Sequence, residues 1–226
     1  MMDSPCCISG FTTFYRDNTV LRVLDEVILP SYSQATIASV GCSIGKEVYS
    51  ILLRNWPERE RIKIDGYDIS KERISMARKG TFEVFELESL NEIEKIKKLN
   101  IPKELYTLKP KSGCSREIEF SEETKNMVNF EVHDISQEPL PKKYDVVLML
   151  NVLMYYPPEE RENILSNVNK SVNKNGWLLC ESEISDGWRN EKIKQYEDWM
   201  GDISRFGFER QPYYPRIYKL VDQSKF

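Results

Sequence analysis

The chain has 226 residues with a formal net charge of −4 and a pI near 5.4, which suits one sizeable domain with an insertion and argues against a broad nucleic-acid-binding surface. No run of about 18 apolar residues is present to insert in a membrane, and Met1–Gly10 has neither the basic nor the apolar region of a secretory signal. Five cysteines (Cys6, Cys7, Cys42, Cys114, Cys180) without C-x-x-C spacing fit a reducing cytoplasm and no metal site, and a single histidine, His133, leaves little for a Ser-His-Asp or His-rich metal mechanism.

Phe11–Asp17 (FTTFYRD) opens the ordered pattern, with Thr12 and Thr13 as cap-type residues and Arg16 a lone cation beside Phe14 and Tyr15. A surface ion pair is the ordinary fate of such an arginine. Asn18–Leu29 carries Val20, Val23, Leu24, Val27 and Ile28 at helical spacing, and Pro30 is expected to end that helix. The organising stretch follows: Thr36–Trp56, TIASVGCSIGKEVYSILLRNW. Its apolar start predicts a buried parallel strand, Gly41 to Gly45 a tight turn, and Val48, Ile51, Leu52 and Trp56 one face of a helix stopped by Pro57. Strand, glycine turn and helix form the opening unit of a nucleotide-binding α/β sheet, in which backbone comes close to a ligand and the helix start attracts polar groups. Plain turn chemistry gives the same G-x-x-x-G pattern.

Ile62–Tyr67 predicts a second strand ending in Asp68, with Ser70 as N-cap of a helix over Lys71–Lys79 and Gly80 closing it. An acidic residue at that strand end, 23 positions beyond Gly45, is where ribose hydroxyls are held in dinucleotide-type folds; a cap or turn residue is the rival reading. Thr81–Met127 breaks the rhythm. It is charged, helical over ELESLNEIEKIKKLN, and extended around Leu105–Leu108 and Glu117–Phe120, and it reads as a small insertion at the sheet edge. Alternation then resumes: a strand at Asn129–His133 followed by Asp134, an apolar strand at Tyr144–Met149 leading to Asn151, a helix over Pro157–Lys174 capped by Gly176, and a strand at Trp177–Cys180. A helix around Asn190–Phe206 and two short strands, Phe208–Pro212 and Arg216–Val221, close the chain. The predicted fold is α/β, one Rossmann-like sheet parallel but for its last strand, with polar signals at the strand ends where ligands of such sheets sit.

These segments resemble the class I S-adenosylmethionine-dependent methyltransferases, and among them the CheR-type chemotaxis-receptor methyltransferases, which form methyl esters on glutamate. FTTFYRD is similar to that family's LTxFFRD/E, GCSIGKEVYS to its S-T-G-E-E-P-Y-S loop, and GYDISKERISMARKGTF to its D-I-D…A-R-x-G-x-Y stretch. YDVVLMLNVLMYYPPEERENIL is similar to F-D-x-I-x-C-R-N-V-x-I-Y-F, and NKNGWLLCESE to K-P-x-G-x-L-x-x-G-x-S-E. The resemblance implies S-adenosylmethionine as cofactor and S-adenosylhomocysteine (SAH) as product. By position it gives Gly41, Ser43, Gly45, Glu47 and Thr12 to the methionine end and Asp68 to the ribose. His133 and Asp134 fall beside the adenine, Asn151 along the cofactor, and Arg16 and Tyr155 beside the sulfonium. It also implies that 81–127 is the subdomain some members dock on receptor tails. Lys46, Val48 and Leu150 depart from the family pattern, and no counterpart of its helical N-terminal domain is expected ahead of Phe11.

In-line methyl transfer from a sulfonium asks mainly for alignment. A glutamate acceptor, pKa about 4.3, is already ionised and needs no base, which suits a chain with one histidine. Arg16 is the candidate to hold such a carboxylate and Tyr155 to line the sulfonium side. Asn151-Val152-Leu153-Met154 lacks the N/D-P-P-Y/F of DNA N-methylating enzymes. The expected partner is therefore a methyl acceptor such as a protein glutamate, with no nucleic acid. A non-catalytic cofactor-binding relative and a small-molecule methyltransferase are the alternatives.

Overall fold

The computed structural model describes residues 12, 14–15, 18–85, 102–111, 115–180, 203–212 and 217–221. In chain order its strands are β1 (Ala35–Val40), β2 (Ile62–Asp68), β3 (Thr81–Phe85), β4 (Tyr106–Pro110), β5 (Ser115–Phe120), β6 (Val128–Val132), β7 (Tyr144–Met149), β8 (Val172–Cys180), β9 (Phe208–Arg210) and β10 (Ile217–Leu220). Seven of them make up a mostly parallel main sheet, while β3, β5 and β4 form a sheet of their own. Two compact units divide the chain, one of Met1–Gln34 and Cys42–Val132, the other of Ala35–Gly41 and His133–Phe226.

In the first unit, helix α1 (Asn18–Val23) runs into a π-helical turn at Leu24–Ile28 and a 3-10 turn at Leu29–Ser31. The backbone thus stays helical through Pro30, which was expected to stop it. A proline in the first turn costs no hydrogen bond, because the N–H it lacks has no partner there. Leu24 and Ile28 are fully buried. Between them Asp25 accepts from the Arg54 guanidinium and, at 2.8 Å, from the Asn55 amide at the end of helix α2 (Lys46–Arg54). Pro57 likewise lies within a 3-10 turn, Trp56–Arg61.

β2 pairs in parallel with β6, Ile64 opposite Val128 and Asp68 opposite Val132. Helix α3 (Lys71–Lys79) follows the sequence signals closely: Ser70 Oγ accepts from the Arg73 N–H, and Gly80 closes the helix at φ 61°. The three-stranded antiparallel sheet is fixed by rings. Tyr49 of α2 stacks on Phe120 of β5 at 4.5 Å, and Phe14 and Phe82 meet Phe120 edge-on at 6.0 and 5.9 Å. Such pairs add about 0.5–1.5 kcal/mol beyond the area they bury. A short helix, α4 (Glu122–Asn126), was not predicted. Ser121 caps it by accepting from Thr124 N–H, and the buried Thr124 hydroxyl donates to Leu105 O. The helical reading of 86–100 falls outside the described residues, apart from that expectation's flanking strands.

In the second unit β1, β7 and β8 run parallel, and β10 runs antiparallel to both β8 and β9. Helix α5 (Pro158–Ser171) ends sooner than predicted, and Gly176 is not its cap. β8 already begins at Val172. Tyr144 faces Val172 whereas Val146 faces Trp177, so a bulge takes up the extra residues, with Asn175 at φ 62°. A Cβ on Gly176 would lie 2.7 Å from Val172 Cγ1 and 2.8 Å from Asp145 O, so the bulge requires glycine there. The strand starts are tied together by Asp145. Its Oδ2 accepts from Thr36 N–H and Oγ–H, both at 2.8 Å, and its Oδ1 from the Asn173 amide at 2.8 Å. β9 and β10 are shorter than expected, and of the predicted helix over 190–206 the described residues hold only a 3-10 turn, Ile203–Phe206.

Candidate functional site

Within the first unit the glycine turn is shaped by three bonds from backbone N–H groups, the third of them to a side chain. Cys42 N–H donates to Tyr67 O (3.0 Å), Gly45 N–H to Cys42 O (2.9 Å), and Ser43 N–H to Asp68 Oδ2 (2.8 Å). Ser43 (φ 53°) and Gly45 (φ 90°) both lie in the left-handed region. A Cβ on Gly45 would stand 2.8 Å from Phe130 Cζ and 3.0 Å from Ala77, so close packing as well as backbone shape selects glycine. Helix α2 then starts without a side-chain cap.

Asp68 is only 5% exposed, and its Oδ1 accepts from Ser70 N–H at 2.9 Å. One carboxylate thus joins the turn to the start of α3. Each of its oxygens keeps a further lone pair for a donor such as a ligand hydroxyl. Burial first, then the charges of Asp68 and Glu47, push the Cys42 thiol well above its usual range. It stays protonated and acts as a small apolar filler. Glu47 sits half-buried in the first turn of α2, where the helix dipole favours an acid. Lys46, the departure from the E-E pair, is buried with Nζ 5.2 Å from the centre of the Phe14 ring, a packing role.

The FTTFYRD segment is anchored to α2 by Ser50. Tyr15 N–H donates to Ser50 Oγ (3.0 Å), and the Ser50 hydroxyl donates to Lys46 O (2.7 Å). Thr12 is half-buried. Arg16 lies outside the described residues.

Within the second unit, Gly41 ends β1 at φ 70°, where a Cβ would meet Val152 Cγ2 at 2.5 Å. Asn151, half-buried at φ 57°, turns the chain out of β7; asparagine tolerates that region better than most residues. The 3-10 turn Leu153–Tyr155 follows, with Tyr155 41% exposed and so open to a ligand. This loop is held from α5: Arg161 Nε donates to Leu153 O (3.0 Å) and Tyr156 O (2.6 Å), on either side of Tyr155. Before β7, Asp134 Oδ1 accepts from Ser136 N–H (3.0 Å) and Oγ–H (2.6 Å), the Asn167 amide donates to Ile135 O (2.9 Å), and His133 Nε2 bonds Glu138 O (3.1 Å).

Ser43, Gly45, Glu47 and Asp68 therefore gather around one turn in the first unit. Gly41 and Asn151 flank Val152 in the second, with Tyr155 on the same loop and His133 and Asp134 on another. Ser50, Val152 and Arg161 escaped the sequence reading. Arg161 had one weak signal, its place one turn into a helix that starts directly after Tyr155 with PPEER. Among the described residues no group of three metal-ligating side chains forms, and no helix is long and apolar enough to cross a membrane.

Residues 10–199 match the family described as CheR methyltransferase, SAM binding domain. The chemotaxis protein methyltransferase of Borreliella burgdorferi is 32% identical over 186 residues, 78% of this chain and 62% of the relative. That of Vibrio parahaemolyticus is 27% identical over 187 residues, 77% and 64%. The chain thus spans less than two thirds of the length of these curated relatives. Among solved structures, magnesium protoporphyrin IX methyltransferase from Synechocystis PCC 6803 with bound SAH is 17% identical at a TM-score of 0.50, covering 91% of this chain and 81% of that one. At that identity the likeness shows the fold: a mostly parallel α/β sheet with an antiparallel strand near one edge.

Proposed function

We propose, from the premise that this chain belongs to the CheR methyltransferase family of S-adenosylmethionine-binding domains, that it transfers a methyl group from that cofactor to a protein carboxylate. The observation that carries this reading is the bond from Ser43 N–H to Asp68, which fixes a glycine turn beside an uncapped helix start. That donor set fits the cofactor: a buried carboxylate with lone pairs to spare for ribose hydroxyls, and helix-start N–H groups suited to a carboxylate. S-adenosylmethionine supplies a methyl group on a sulfonium, already activated for displacement.

On this reading Asp68 accepts from the ribose hydroxyls, and Thr12, Gly41, Ser43, Gly45 and Glu47 serve the methionine end. Asp134 and the His133 turn lie by the adenine, Asn151 along the cofactor, and Tyr155 by the sulfonium. Arg16 holds the acceptor carboxylate by paired hydrogen bonds. The His133 ring is engaged by its own loop, which favours an acceptor that needs no base. A protein glutamate is the acceptor of that kind which the family resemblance suggests.

The test is chemical. The purified chain is incubated with methyl-labelled S-adenosylmethionine and a protein extract, and the labelled proteins are treated with dilute base. Label released as methanol is expected, since esters hydrolyse there; base-stable label would overturn the carboxylate reading. Binding of SAH in calorimetry with no label transferred would instead favour a cofactor-binding relative without activity.

A further inference from the structure

Among the described residues, four other than glycine lie in the left-handed region, and Tyr15, at φ 55°, is the aromatic one beside Ser43, Asn151 and Asn175. Asparagine visits that region readily, whereas a bulky side chain there relaxes to an ordinary conformation unless its surroundings hold it. The surroundings do hold Tyr15. It and Phe14 are each 1% exposed, and the Phe14 ring meets Phe82 edge-on at 5.4 Å. The Tyr15 N–H donates to Ser50 Oγ at 3.0 Å. Ser50 is fully buried on α2, and its hydroxyl donates to Lys46 O one turn back at 2.7 Å. That proton is committed to the helix, so toward Tyr15 the oxygen acts as acceptor. Alanine is the better helix former at such a position, and a hydroxyl sealed from water is costly unless bonded.

We infer that Ser50 is a positioning residue for methyl transfer: by holding the Tyr15 N–H it keeps the left-handed turn that sets the direction in which the chain enters Arg16. This rests on the reading above, in which Arg16 holds the acceptor carboxylate. Arg16 follows Tyr15 directly, and consecutive Cα atoms are about 3.8 Å apart. Relaxation of Tyr15 to the right-handed region turns everything beyond its N–Cα bond, so the next residue shifts by ångströms. A misplacement of about 1 Å can already cost about a hundredfold in rate. Thr12 precedes that bond in the chain, ahead of the buried Phe14, and the cofactor turn has its own brace in Asp68. Loss of the Ser50 hydroxyl is therefore felt at the acceptor and not in cofactor affinity.

The experiment compares the whole wild-type chain with Ser50→Ala, Ser50→Cys and Ser50→Thr. Alanine removes the acceptor atom, cysteine keeps nearly the size but accepts weakly, and threonine keeps the hydroxyl. Amide hydrogen exchange over residues 12–17, SAH affinity by calorimetry, and the rate of base-labile methyl labelling of a protein extract at saturating S-adenosylmethionine are measured. Urea titrations give the folded fraction, so that rates are compared per folded chain. Ser50→Ala is expected to speed exchange over 12–17 about three- to tenfold and to lower transfer about 10–100-fold, with SAH affinity at the wild-type value. Ser50→Cys is expected to follow alanine, and Ser50→Thr to retain most of the transfer; the cysteine variant carries the comparison if alanine leaves the chain unfolded. Unchanged exchange overturns the inference, whether or not label is transferred. Transfer and SAH affinity falling in the same proportion overturn it in favour of a general structural role, and cysteine matching wild type overturns it in favour of plain packing. A wild-type chain that transfers no label, with exchange that responds to Ser50→Ala, supports the anchoring and counts against the proposed activity alone.

Discussion

Asp68 has two functions that a single substitution separates. Its oxygens hold Ser43 N–H and Ser70 N–H, so Asp68→Ala leaves one buried and one part-buried donor without their acceptor. Loss of bonds to an ionised group lowers stability by about 1–3 kcal/mol. SAH affinity is expected to fall as well, because the turn loses its brace and the ribose its acceptor. Asp68→Asn keeps one acceptor oxygen and adds a donor, so the loss of stability should be smaller than in Asp68→Ala while SAH affinity still drops. Urea denaturation and calorimetry on both variants check this; undiminished affinity in both would remove Asp68 from the cofactor site. The residue itself was legible from its place after an apolar run, 23 positions beyond Gly45. Its second bond partner, Ser43, was not, since nothing in local sequence says which backbone N–H a strand-end carboxylate will reach across the fold.

Elements were legible in proportion to how local their causes are. α3 was read to the residue because its Ser70 cap and Gly80 terminus are local chemistry. The α5–β8 boundary was misread because it is set from outside. Val172 reads as a helix position until it is paired with Tyr144 of the neighbouring strand. The loop after β7 is another case of outside control. Arg161 spans from α5 to the carbonyls of Leu153 and Tyr156, on either side of Tyr155. Arg161→Met is expected to speed amide hydrogen exchange over residues 151–156 without a comparable change over β1. In an active preparation it should lower methyl transfer more than SAH affinity, since what is lost is alignment at Tyr155. Exchange over 151–156 unchanged from wild type would show that the turn stands without Arg161.

At the scale of the whole molecule a mostly parallel sheet with its last strand antiparallel follows from alternating strands and helices with two short strands at the end, and hydrophobic pattern is enough to read it. Pattern does not reveal which charges end up buried. Lys46, Asp65 and Asp68 are buried, and half-buried Asp25 shows the consequence of lost solvation: it outweighs the bonds to Asn55 and Arg54 and raises the carboxyl above the ordinary value of 3.8. A carboxyl whose folded pKa exceeds its unfolded one binds more protons folded than unfolded between the two values. Its cost to stability is therefore fully present above the folded pKa and is relieved as pH falls toward the unfolded one. The unfolding free energy of wild type relative to Asp25→Asn, which has no such titration, should shift in favour of wild type on acidification from neutral toward about pH 4. Paired urea titrations at the two pH values measure it; a shift the other way would mean that the Arg54 pair outweighs burial.

The pairing of β1 also sets a schedule. Ile37 sits opposite Val146, and Thr36 bonds Asp145 across 109 positions of sequence. On a nascent chain growing at about 5–20 residues per second, β1 is made roughly 5–20 s before β7, the partner on this side. Through that interval the edge of ATIASV that β7 will cover is open, and an open strand edge is the kind of surface on which other chains nucleate aggregates. Slowing synthesis over residues 41–144 lengthens the exposure without altering a single contact of the finished protein, so the yield of folded chain depends on translation rate as well as on sequence.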